Sequence, residues 1–156
     1  MGELIQELSR FPSWRQAVQD FIKEFQYGDL VSHDWLAEHF GMPSIDEEES
    51  LTAQEFRERQ FEWLSNIESF KSELLRDHSV LLQSVRGQGL RWVPPHEQTR
   101  LAEDGFQRDA NRAFRGAAHK LKHIRLSELN DDQRRENVDA VTKLASMRSM
   151  HRKALK

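Results

Sequence analysis

Apolar residues recur every three or four positions through most of this chain, and one stretch near residues 80–93 breaks that rhythm. Helical spacing makes each segment bury one face, whereas two short apolar runs around closely spaced glycines make a hairpin. The expected fold is therefore mostly α with one β-hairpin. Trp14, Val18, Phe21, Ile22 and Phe25 mark one helix, with Ser13 and Gln16 as its capping box and Pro12 separating it from a short helix at residues 4–8. Ser32 caps a short helix bearing Trp35, Leu36 and Phe40, closed by Gly41 and Pro43. A polar loop at residues 44–51 includes the acidic run Asp46-Glu47-Glu48-Glu49.

Thr52 and Glu55 form a second capping box, which opens a long helix to about residue 75. Its apolar side is read as Phe56, Trp63, Leu64, Ile67, Phe70 and Leu74. Residues 80–85 and 90–93 then read as paired strands, with Gly87-Gln88-Gly89 at the tip and Pro94-Pro95 as the stop. A long amphipathic helix follows over residues 96–125, with glycines at 105 and 116 as places for a bend or a close approach. Asn130 and Gln133 cap a last helix carrying Val138, Val141, Leu144, Met147 and Met150. The expected domains are residues 1–95, with the N-terminal helices and hairpin, and residues 96–156, a helical extension with a basic face.

Composition limits the function classes. The chain has no cysteine, so it can form no disulfide and no thiolate zinc site. No apolar run approaches a membrane span, so no membrane partner is expected. The first ten residues lack signal-peptide character, and a cytoplasmic location is expected. The net charge of −3 conceals segregation: residues 1–50 carry 3 basic and 11 acidic side chains, whereas residues 101–156 carry 13 and 8. Such asymmetry points to electrostatic partners, or to pairing of one end with the other.

The order over residues 21–95, two helices, a longer helix and a hairpin, resembles the winged-helix output domain of two-component response regulators. The likeness is carried by Tyr27-Gly28-Asp29-Leu30-Val31-Ser32-His33-Asp34-Trp35-Leu36, by the spacing of Ile67, Phe70 and Leu74, and by Ser84-Val85-Arg86-Gly87-Gln88-Gly89-Leu90, which is similar to the family's wing motif. The resemblance implies a winged helix-turn-helix core flanked by an N-terminal helical segment and a C-terminal pair of long helices. It also implies a recognition helix whose outward side reads DNA. Here that side carries Glu58, Glu62, Ser65, Ser69 and Ser72, with Glu68 and Glu73 flanking and Lys71 as the only cation where the resemblance asks for several. Carboxylates repel phosphates, so this face is expected to meet protein.

Cations lie further along. Arg108, Arg112, Arg115, His119 and Lys122 advance by four and three residues, so they form one stripe on a helix, with Phe106, Ala110, Ala113, Ala117, Leu121 and Ile124 read as the opposite, packing side. With Arg86 and Arg91 of the hairpin, the stripe is a candidate contact for nucleic acid or an acidic partner. His119 and His123 stand four apart, a spacing that can hold a metal, but nothing in the sequence completes a site. No phosphate-binding glycine loop, serine elbow or cysteine nucleophile is present. The expectation is thus a non-enzymatic binding protein with no metal and no cofactor. Three readings follow: a winged-helix adaptor or inhibitor engaging a protein partner of nucleic-acid-handling machinery, a DNA-binding transcription regulator using the wing and basic helix, and an assembly protein that forms homo-oligomers.

Overall fold

A computed structural model describes residues 13–42 and 51–155. The expected helix at residues 4–8, the break at Pro12, the stop at Pro43 and the acidic run of residues 46–49 lie outside the described residues. Among the described residues the elements are α1 (Ser13–Glu24), β1 (Leu30–Ser32), α2 (His33–His39), α3 (Ala53–His78), β2 (Leu82–Val85), β3 (Gly89–Trp92), α4 (Pro95–Lys122), a 3-10 turn (Leu126–Glu128) and α5 (Asp131–Ala154). The protein is mostly helical, with one small antiparallel sheet. It divides into two compact units, Met1–Gln98 and Thr99–Lys156. No helix among the described residues is long and apolar enough to cross a membrane.

Local signals place the helix ends. The Ser32 hydroxyl accepts a hydrogen bond from the Trp35 amide at 3.1 Å and starts α2. Thr52 and Glu55 exchange both bonds of a capping box at the start of α3. Each such cap satisfies amides that the first helical turn leaves without partners. Ser13 behaves differently from the sequence expectation. It is the first residue of α1, and its hydroxyl donates to the Phe40 carbonyl at 2.8 Å, tying α1 to the end of α2, while Gln16 donates to Asp20. α3 runs three residues beyond residue 75 and stops at Ser79, whose left-handed backbone (φ 56°) turns the chain so that the Val80 amide donates to the Leu74 carbonyl.

The sheet has three strands in the order β1-β3-β2, one more than the expected hairpin. Leu82 faces Trp92 and Val85 faces Gly89 across β2 and β3, with Arg86, Gly87 and Gln88 at the exposed tip. β1 pairs with the other edge of β3, Val31 opposite Leu90. Three residues are too few to announce a strand by alternation, and the partner lies far along the chain.

One core holds the first unit together. Ala17, Val18 and Phe21 of α1, Leu36 and Phe40 of the α2 region, Phe70 and Leu74 of α3, and Val31, Leu82 and Leu90 of the sheet are all buried. Phe21 is its centre: its ring stacks on Phe25 at 5.1 Å, meets Phe70 edge-on at 5.8 Å and lies 5.0 Å from Trp92. The core engages α3 from Trp63 onward. Phe56 and Leu64, read from sequence as packing residues, are exposed: Phe56 lies beyond the elements that could cover it, and Leu64 sits to one side of the Trp63, Ile67, Phe70 and Leu74 face.

Candidate functional site

The side of α3 turned away from the core presents a distinct surface. Glu58, Glu62, Ser65 and Ser72 are exposed there, as expected, and Ser69 is half-buried. Glu68 is exposed, while Glu73 is half-buried and faces Arg15 of α1 at 3.7 Å, so it contributes little to the outward charge. Between the acidic positions stands Phe61, 77% exposed, three residues after Glu58 and four before Ser65 and thus adjacent to both on the helix surface. Leu64, 60% exposed, continues the apolar patch. The sequence signal for Phe61 was available: it falls outside the Trp63, Ile67, Phe70, Leu74 period that faces the core. Phe61 and Leu64 thus form a small exposed apolar patch bordered by carboxylates.

Among the described residues, the hairpin carries one free cation of its two candidates. Arg86 is exposed at the tip. Arg91 is held by Glu97 through a bidentate pair, with contacts of 2.9 and 3.1 Å, so its guanidinium is already committed within the first unit. A duplex contact that needs both arginines must first break that pair.

In the second unit, Arg108, Arg112, Arg115, His119 and Lys122 are all exposed. Arg108 turns back toward its own helix, its Nε donating to the Asp104 carbonyl at 3.4 Å, and Arg100 approaches Asp104 at 3.9 Å. The packing side of α4 agrees in part with the sequence reading: Ala110, Ala117 and Leu121 are half-buried. Phe106 is 63% exposed, and Ala113 and Ile124 are exposed as well. Asn111, Phe114 and Ala118 are half-buried beside Ala110, Ala117 and Leu121, so the covered side is turned from directly opposite the basic stripe toward one flank of it.

His119 and His123 lie close, with ring centroids 4.3 Å apart, and the His119 carbonyl pairs with the His123 ring at 2.8 Å. Among the described residues no three histidine or carboxylate side chains converge as a metal site would require. The Arg76 hydrogen bond holds Asp77 below the usual carboxylate range and raises Arg76 in turn, in a fully solvated surface pair.

No family model, curated protein or solved structure matches this chain.

Proposed function

We propose that this protein is a non-enzymatic binding protein whose first unit is a winged helix serving as an adaptor or inhibitor, and that it engages a protein partner through the outward face of α3. The element order α1, α2, α3 and hairpin, with β1 added to the hairpin edge, supports the winged-helix part. The observation that carries the binding part is the exposure of Phe61 beside Glu58 and Glu62. Burying one such ring in a partner pocket contributes on the order of 1.5–3 kcal/mol, whereas bringing the same carboxylates against a phosphate backbone is repulsive. The DNA-reading alternative is weakened further by the Arg91–Glu97 pair at the hairpin.

The test places a photo-crosslinking phenylalanine analogue at position 61 and, as a control, at the exposed Gln19 of α1. In lysate of the native source the expected result is one protein adduct at position 61 and none at position 19. The adduct should disappear in a Glu58→Lys, Glu62→Lys background. Crosslinking to nucleic acid, or equal labelling at both positions, overturns the proposal.

A further inference from the structure

The second unit is a helical hairpin without a closed core. α5 runs back along α4, with His151 beside Phe106 and Phe114, and no residue of either helix is fully buried. Half-buried positions advance by threes and fours on both helices, through Asn111, Phe114, Ala118 and Leu121 on one and Asn137, Val141, Leu144, Arg148 and His151 on the other. That is the spacing of a helix-packing seam. Large side chains hold the helices apart: the His151 ring lies 5.6 Å from both Phe106 and Phe114.

The result is a trough of about 450 Å3 between the helices, with a floor of Phe114, Ala118, Leu121, Val141 and Leu144. Lys122, Arg148, Arg152 and Lys153 stand around that floor. A second cavity of about 440 Å3 shares Arg148 and Arg152 and adds Arg115 and His151. Among the described residues no carboxylate lines either cavity. Residues 110–125 and 140–156 contain no aspartate or glutamate at all, although solubility is served by mixed signs. Within the seam, Asn137 Oδ1, Arg148 Nε and His151 Nε2 are shut off from solvent without a hydrogen-bond partner among the described residues. Polar atoms left in that condition disfavour the isolated hairpin.

We infer that this trough receives one acidic amphipathic helix of a partner protein. Its apolar face covers the floor, its carboxylates meet the cations of both walls, and the hairpin becomes a three-helix bundle. The apolar floor decides against a phosphodiester backbone. A phosphate chain is served by the exposed row from Arg108 to Lys122 alone and leaves five apolar side chains wet, whereas a helix removes them from water. The lining of the trough on α5, from Val141 to Lys153, spans about 18 Å at 1.5 Å per residue, which matches a docked helix of about three turns. This inference uses only residues of the second unit and stands or falls apart from the proposal for α3.

The test uses the full chain and a fluorescent peptide of about 20 residues, long enough for three turns and more, with leucine at alternating three- and four-residue spacing, glutamate beside each leucine and alanine elsewhere. The comparison ligands are a scrambled peptide of identical composition and a labelled DNA duplex, all measured by anisotropy at physiological salt. The patterned peptide is expected to bind at least tenfold more tightly than either. Arg148→Glu with Arg152→Glu should lower its affinity at least tenfold, and Leu144→Lys should do so through the floor. If circular dichroism shows that these variants lose helix, the exposed-site pair Lys122→Glu and Arg152→Glu carries the same expectation. Equal binding of the scrambled peptide reduces the trough to a charged surface and overturns the inference. Tighter binding of the duplex, or no binding of the patterned peptide, does the same.

Discussion

Gly89 lies directly beneath the carbonyl oxygen of Val31, where β1 crosses onto β3, and a β-carbon at that position would overlap the carbonyl. Its φ of 150° adds a backbone conformation that other residues rarely adopt. The glycine is therefore required by the third strand as well as by the turn. Gly89→Ala should separate β1 from the sheet and cost about 2–4 kcal/mol, in the range of mutations that break a close backbone approach. Gly87, with φ 74° and open space around it, should tolerate alanine at about 1 kcal/mol. Urea unfolding of the two variants checks the ranking, and equal losses would contradict it.

Ser79 ends α3 in the left-handed conformation that glycine adopts without steric cost. Ser79→Gly should keep the Val80 to Leu74 hydrogen bond and stabilise the protein by about 0.5–1 kcal/mol, less the extra freedom glycine gains in the unfolded chain. A rise in the urea midpoint at constant slope is the expected reading.

The Arg91–Glu97 pair is partly exposed, so its contribution is modest despite the bidentate geometry. Arg91→Lys keeps the charge but cannot reproduce the fork, and a loss of about 0.5–1 kcal/mol is expected. Glu97→Gln should cost a similar amount and release the Arg91 guanidinium. Duplex affinity at low salt should then rise relative to the parent protein, as measured by anisotropy.

Phe21 touches α1, α2, α3 and the sheet through its neighbours, so its truncation affects every element of the first unit. Phe21→Ala should cost about 3–5 kcal/mol. Phe61→Ala, on the same unit but exposed, should change stability by no more than about 0.5 kcal/mol. Thermal unfolding of the pair separates a core aromatic from a binding one, and a large loss at Phe61 would remove it from the proposed contact surface.

The amino-acid sequence by itself determined the features that short-range chemistry controls. Ser32, Thr52 with Glu55 and Asn130 with Gln133 start helices because each side chain reaches amides within three residues, and all three caps are in place. The hairpin was legible because Val85 and Gly89 face each other across a turn of a few residues. The acidic outward positions Glu58 and Glu62 were legible from helical spacing.

Tertiary structure decided what depends on residues distant in the chain. Leu30–Ser32 becomes a strand only because the free edge of β3 supplies its hydrogen bonds. Ser13 bonds to Phe40 rather than to its own helix because α2 ends beside it. Phe56, on the core-facing side of α3 by its spacing, is exposed because no other element among the described residues reaches that end of the helix, which no local pattern reports. On α4 the periodic apolar side and the covered side coincide at Ala110, Ala117 and Leu121 but part at Phe106, Ala113 and Ile124, which are exposed. Caps and turns are settled by bonds within a few residues, whereas burial is a property of whichever surfaces meet, and that is known only once the chain has packed.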